Sequence, residues 1–226
     1  MKFAFYVSGK ATRLVKTLSH LEHSNAELLK KIKLAFIDNC NNDSLRELCG
    51  RLGLNFFEFN ADAVKKELIN ETLSGKLLEC FFNEKIDYGF VFGRRILVGE
   101  ILNKYNHRLI NFHPSLLPQF KGVNAIDQAL KEKAFLLGNS AHFINEKVDE
   151  GEIIMQSLLP SLSFKNYDDV LDMQINMLIQ IMCWLMESRI TVKDGRVNIN
   201  NAKYEISSYI PNLEFTINEF FKRENQ

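Results

Sequence analysis

The sequence predicts an α/β fold, an open, mostly parallel twisted sheet with helices on both faces. Three observations predict it. Short β-rich runs alternate with segments of helical spacing through the first two thirds of the 226 residues. The first run ends at Ser8-Gly9, a turn of the kind that opens a βα unit. A long apolar helix pattern and an Asp-Gly hairpin then close the chain. Strands separated by helices need crossover connections, which pair them in parallel with right-handed handedness.

Phe3–Val7 is a β-rich run, and Thr12–Leu21 places Leu14, Val15, Leu18 and Leu21 at helical spacing. Leu34–Ile37 reads as the second strand. Ser44–Leu52 reads as a helix, with Gly53 just past its end. Phe56–Phe59 is the third strand. A helix over Val64–Phe81 carries Leu68, Ile69, Leu73, Leu77 and Leu78. Gly89–Phe92 and Leu109–Phe112 are the fourth and fifth strands. After Pro118 the pattern changes. Asn124–Leu130 reads as a short helix, and Ala134–Asn145 and Glu152–Leu159 as two strands running along one another. Tyr167–Met186 is a long helix with Asn166 as N-cap. Ile190–Val192 and Arg196–Ile199 flank Lys193-Asp194-Gly195, a hairpin signal. The chain divides into a domain over 1–200 and a tail over 201–226 with aromatics at Phe215, Phe220 and Phe221.

Apolar residues make up 46% of the chain and charged residues 25%, and the formal net charge is zero. No basic excess points to nucleic acid. The cluster Lys30-Lys31-Ile32-Lys33 reads as a solvated face. Cys40, Cys49, Cys80 and Cys183 form no C-x-x-C pair, which argues against structural zinc. The apolar run at Met1–Val7 is too short to span a membrane and lacks a cleavage pattern. These features predict a reduced, cytoplasmic protein with a small-molecule substrate and no membrane or nucleic-acid partner. They leave the oligomeric state open, a homodimer included.

The chemistry gathers in one stretch. Asn111 and His113 are two apart on a strand and project to the same face. Ser140 and His142 repeat that spacing on a second strand, and Asp149 follows after a polar connection closed by Gly151. An amide donor, an imidazole and a carboxylate are the parts needed for attack of an amine on a carbonyl carbon. A lone strand-end histidine is more often structural, but here Pro114 fixes the chain direction, and His142 and Asp149 complete a set. Ser8-Gly9-Lys10-Ala11-Thr12 sits at the strand end where such sheets expose N–H groups to anions. With a single Gly it meets neither the Rossmann nor the Walker pattern and reads equally as an ordinary turn. Gly93-Arg94-Arg95-Ile96-Leu97 reads either as a helix start with exposed arginines or as a loop lining a flat ligand.

The strings Ile110-Asn111-Phe112-His113-Pro114-Ser115-Leu116-Leu117-Pro118, Phe120-Lys121-Gly122, Ser140-Ala141-His142-Phe143, Val148-Asp149-Glu150-Gly151 and Ile153-Ile154-Met155-Gln156 closely resemble the folate-dependent formyltransferases. The likeness runs from Phe3 to about Ile199 and is nearest to the branch that formylates glycinamide ribonucleotide. It implies the family's Rossmann-like fold and 10-formyltetrahydrofolate as co-substrate, with no metal. By resemblance Asn111, His113 and Asp149 are the catalytic trio, Ser140 and His142 support them, and His142 orients Asp149. Arg95, Ile96 and Leu97 line the pterin pocket, joined by Val148, Glu150 and Gly151. Ser8, Gly9, Lys10, Ala11, Thr12 and Arg13 correspond to the family's phosphate loop, and Ile190–Val197 to its closing hairpin.

Three positions depart from the family. Its phosphate loop reads Gly-x-Gly-[Ser/Thr]-Asn, whereas this chain reads Gly9-Lys10-Ala11-Thr12-Arg13. Lys10 or Arg13 would then supply the charge. The family's substrate-holding Glu-His pair falls on Gln174 and Ile175, and its Thr on Ser140. The donor is therefore better marked than the acceptor. The expected activity is formyl transfer to a primary amine, with glycinamide ribonucleotide first. A nucleotide-linked amino sugar or a catalytically silent folate-binding homologue stands as the alternative. A formyltransferase acting on methionyl-tRNA would need a further C-terminal domain, and a deformylase a preceding regulatory one. A nicotinamide-dependent dehydrogenase lacks its glycine pattern and has only Asp38 as a ribose acid.

Overall fold

The first strand, β1 (Phe3–Val7), buries all five of its residues, as a parallel strand covered on both faces must. The structure, a computed structural model, describes residues 1–38 and 42–215. Cys40, Phe220 and Phe221 lie outside the described residues. The strands build an eight-stranded, mostly parallel sheet, with a separate two-stranded hairpin. The chain clusters into two compact units, Met1–Ile110 with Ile144–Glu146, and Asn111–Phe143 with Lys147 onward.

The first unit continues with α1 (Thr12–Ser24), α2 (Ala26–Leu29), β2 (Ile32–Ile37), α3 (Asp43–Leu52), β3 (Asn55–Glu58), α4 (Ile69–Glu84), β4 (Tyr88–Phe92), α5 (Glu100–Lys104) and the start of β5 (Leu109–His113). Its strand order is β4-β1-β2-β3, all parallel. Leu73, Leu77 and Phe81 on α4 repeat every four residues and are fully buried, so one stripe of the helix packs into the core. Burying each such side chain contributes about 2 kcal/mol. Gly53 ends α3 with φ 69°, a left-handed residue where a Cβ would be strained.

The second unit holds the end of β5, then α6 (Ala125–Lys131), β6 (Leu136–Phe143), β7 (Ile153–Pro160), α7 (Asp168–Leu171), α8 (Met173–Met186), the hairpin β8 (Ile190–Lys193) and β9 (Arg196–Ile199), and β10 (Tyr209–Ile210). Both β6 and β10 pair antiparallel with β7. Buried residues run almost without break from Gln174 to Leu185 on α8, so this helix is enclosed on every side. Asp194 and Gly195 have φ 51° and 68°, the two positive values a tight hairpin turn requires.

Two helices differ from expectation. The helix expected over Val64–Phe81 begins only at Ile69, because 3-10 turns occupy Ala61–Ala63 and Lys66–Leu68. Leu68, counted in the apolar stripe, is 46% exposed. The helix expected over Tyr167–Met186 breaks at Asp172, where the Ile175 N–H bonds the Asp172 carbonyl in a three-residue step. The expected cap at Asn166 is displaced: Tyr167 holds the N-cap position with no side-chain cap, and Asn166, one residue earlier, forms an Asx turn in which its Oδ1 accepts from the Asp168 N–H at 2.9 Å. The tail contributes structure as well, since β10 pairs with β7.

Candidate active site

β5 delivers Asn111 and His113 to one face and ends at His113 before Pro114. β6 delivers Ser140 and His142, and the 147–151 loop brings Asp149 up with φ 55°. All five belong to the second unit. Asp149 Oδ2 lies 3.4 Å from His113 Nδ1, and its Oδ1 lies 3.6 Å from His142 Nε2. Asn111 Nδ2 lies 3.1 Å from His142 Nε2. An amide, two imidazoles and a carboxylate therefore meet in one cluster.

Backbone groups set the protons. His113 Nε2 is 2.8 Å from the Phe120 carbonyl, which can only accept, so Nε2 carries hydrogen. That leaves Nδ1 facing Asp149 across a gap wider than a tight hydrogen bond. His142 Nδ1 likewise donates to the Phe143 carbonyl at 2.9 Å. Its Nε2 then serves one partner at a time. Unprotonated, it accepts from Asn111; protonated, it donates to Asp149. The shorter contact is with Asn111, so in this geometry His142 orients the amide more closely than the acid.

The Gly122 N–H donates to Asp149 Oδ2 at 2.9 Å. Burial alone would raise the Asp149 carboxyl. Hydrogen bonds from His142 and Gly122 and the charges of His113 and His142 outweigh that and hold it below the ordinary carboxylate range. Sequence reasoning did not single out the carbonyls of Phe120 and Phe143 or the N–H of Gly122. Only the Phe120-Lys121-Gly122 string signalled two of them. Gly151 is required by space, since a Cβ there would sit 1.7 Å from the Phe143 carbonyl oxygen.

Ser140 touches none of the trio. Its fully buried hydroxyl donates to the Ser115 carbonyl at 2.7 Å and accepts from the Leu117 N–H at 2.9 Å and from Gln156 Nε2 at 2.8 Å. It fastens the segment after His113 to β6. Gln174, expected to meet the substrate, is 0% exposed. Its Nε2 donates to Asn139 Oδ1 at 2.7 Å and to the Phe112 carbonyl at 3.3 Å, so its place is inside the fold. Glu150 is exposed and pairs with Lys121 at 2.8 Å, and Val148 is 51% exposed.

The remaining expected residues lie in the first unit. Ser8 Oγ donates to Asp38 Oδ2 at 2.7 Å and accepts from the Arg94 N–H at 2.9 Å. Tyr6 OH also donates to Asp38 at 2.7 Å, and Arg95 Nε lies 3.6 Å from it. Burial and Asp38 together push the Tyr6 hydroxyl up. Ala11 takes φ 52°, so the loop keeps a left-handed residue where the second glycine is missing. Lys10 and Thr12 are exposed, and Gly9 has φ 64°. The 93–98 loop forms no helix, and it leaves Ile96 50% exposed and Leu97 buried. Gly93 passes the Tyr6 ring so closely that a Cβ would lie 2.2 Å from it. Among the described residues no group of three or more His, Cys, Asp or Glu could hold a metal ion. Among them also, no helix is long and apolar enough to cross a membrane.

The family profile described as formyl transferase matches residues 1–174. The chain belongs to the formyl transferase family. The trifunctional purine biosynthetic protein adenosine-3 of Bos taurus is 47% identical over 102 residues, 45% of this chain and 10% of that protein. The formyltetrahydrofolate deformylase of Haemophilus influenzae is 36% identical over 121 residues, 53% of this chain and 42% of that one. The chain thus spans less than half the length of these two relatives. Among solved structures, glycinamide ribonucleotide transformylase 1 from Symbiobacterium toebii superposes with a TM-score of 0.76 at 25% identity, covering 88% of this chain and 93% of that one. Its similarity supports the family's sheet-and-helix architecture across nearly the whole chain.

Proposed function

We propose that this formyl transferase moves a formyl group from 10-formyltetrahydrofolate to a primary amine. The observation that carries the proposal is the cluster of Asn111, His113 and Asp149, three groups whose chemistry fits a reacting carbonyl. The folate supplies an activated formyl carbon. In each unit an exposed apolar residue, Ile96 or Val148, offers surface suited to a flat ring. The rest is work for the chain's own groups.

Asn111 Nδ2 gives one hydrogen to His142 and keeps a second for the carbonyl oxygen as charge develops there. One such donor is worth roughly 2.7–4 kcal/mol. His113, with Nε2 fixed on Phe120, would donate to the same oxygen from Nδ1. Asp149 stabilises the charged imidazole and would pass the proton from the attacking nitrogen to the leaving one.

Glycinamide ribonucleotide is the acceptor that the name of the solved transformylase supports. A nucleotide-linked amino sugar is the second reading, favoured by the full burial of Gln174, which stands where the ribonucleotide branch carries a substrate-holding residue. A cytoplasmic site of action belongs to the same proposal. The test is to follow donor loss by purified protein with each amine and with none. Loss that requires an amine supports transfer and names the acceptor. Loss without any amine would make the chain a deformylase, and no loss at all would make it a silent homologue.

A further inference from the structure

Asp38 follows β2 directly, and its side chain is only 6% exposed. A carboxylate at that depth has to be matched by donors. Its Oδ2 accepts from Tyr6 OH at 2.7 Å and from Ser8 Oγ at 2.7 Å. Arg95 Nε lies 3.6 Å from the same oxygen, an ion pair longer than a hydrogen bond. Burial and the Asp38 charge push the Tyr6 hydroxyl up, so the phenol stays neutral and keeps its hydrogen for the carboxylate. β1 lies between β2 and β4, with Val7 opposite both Ile37 and Phe92. Asp38 therefore acts across the width of β1 on the segment that leaves β4.

The three groups on Asp38 reach three consecutive residues of that segment. The Tyr6 ring lies against Gly93, so close that a Cβ there would come within 2.2 Å of it. Ser8 Oγ accepts from the Arg94 N–H at 2.9 Å. Arg95 meets the carboxylate with its own side chain. One oxygen thus fixes the path of residues 93–95. The far end is fixed separately. The Val98 N–H donates to Ser74 Oγ on α4 at 2.9 Å, and Leu97 is buried in the core beside Leu77 and Ile101. Ile96, between the two anchors, is left 50% exposed. A surface held at both ends loses little freedom when a flat ring settles on it, so its affinity for that ring is higher than that of a loose loop.

We propose that Asp38 is a positioning residue for folate binding: through Tyr6, Ser8 and Arg95 it holds the 93–98 segment in the shape that receives the pterin ring. The proposal rests on the formyl-transfer reading, in which Ile96 offers surface to the folate. Asp38 acts through other residues and not on the reacting atoms. Its loss therefore weakens the donor complex and leaves the chemical step alone. A merely structural carboxylate would lower stability without singling out the folate.

The test combines calorimetric titration of the full-length protein with tetrahydrofolate and steady-state kinetics with 10-formyltetrahydrofolate at saturating amine. Asp38→Ala should raise the folate Kd and the donor KM about 10-fold while kcat stays within about twofold of wild type. Asp38→Asn keeps an oxygen that can accept from both hydroxyls and should recover most of that loss. Tyr6→Phe removes one hydroxyl and keeps the ring against Gly93, so it should raise Kd and KM about 3-fold. In the Tyr6→Phe background Asp38→Ala should add less than it does alone. Circular dichroism melts identify any variant that fails to fold, and Tyr6→Phe, which keeps the buried ring, decides the matter if Asp38→Ala does not fold. Unchanged folate affinity in the folded variants, or a fall in kcat at unchanged KM, would overturn this role. Wild type that consumes donor while its variants bind folate equally well would remove the role and leave formyl transfer standing. Folate binding that depends on Asp38 in protein that never consumes donor would do the reverse, and wild type that binds no folate would end both.

Discussion

Asn111 Nδ2 lies 3.1 Å from His142 Nε2, and the proton on the far side of that imidazole is held by the Phe143 carbonyl at 2.9 Å. A carbonyl one residue along β6 thereby determines which face of the Asn111 amide looks outward. Rotation of the amide would set two lone-pair atoms against each other, so the donor face is built in. Replacing Asn111 by Ala should lower turnover by about 10²–10³. His142→Ala should lower it by less, through loss of amide orientation. In the Asn111→Ala background the His142 change should add little, because its main partner is already gone. Steady-state kinetics on the four proteins of this cycle measure the coupling. Fully additive effects would show that His142 acts elsewhere.

Asp149 makes stability depend on acid. Burial pushes its carboxyl up, but contacts with His142, Gly122 and His113 hold it below the ordinary value. A group depressed in the folded state stabilises the fold above its unfolded pKa of about 3.9 and loses that contribution as pH falls through the folded value. Urea midpoints of the wild type should therefore fall, as the pH drops below about 4, more steeply than those of Asp149→Asn. Parallel curves would mean that the carboxyl has no net attraction to its neighbours.

Ala11 holds φ 52° at the start of α1, with no side-chain cap on that helix. A Cβ in this region costs roughly 1–2 kcal/mol. Ala11→Gly should stabilise the protein by about 0.5–1 kcal/mol after the added freedom of the unfolded chain is counted. Thermal unfolding reads this directly. A lower melting temperature would show that the loop is not strained at residue 11.

Much of the fold was legible because its signals are local. Phe3–Val7 is β-rich over its whole length, Gly53 sits one step past an amphipathic helix, and Asp194-Gly195 matches its turn. What was missed depended on partners far along the chain. α2 and α5, of four and five residues, are too short to show a period. β10 exists because β7 offers an edge to Tyr209 and Ile210. The side chains of the cluster could be named from spacing and resemblance. Their proton arrangement could not, since it comes from carbonyls at Phe120 and Phe143 and an N–H at Gly122. Gln174 read as a ligand contact because sequence does not show that Asn139 and Phe112 wait inside to receive its amide.

In the proposed reaction His113 and Asp149 move the proton while Asn111 holds the developing charge. Single-turnover loss of 10-formyltetrahydrofolate, followed with saturating amine in wild type, His113→Ala and Asp149→Asn, tests it most directly. Each variant should still bind the folate but transfer formyl at least about 10²-fold more slowly. Near-normal transfer by either variant would contradict it.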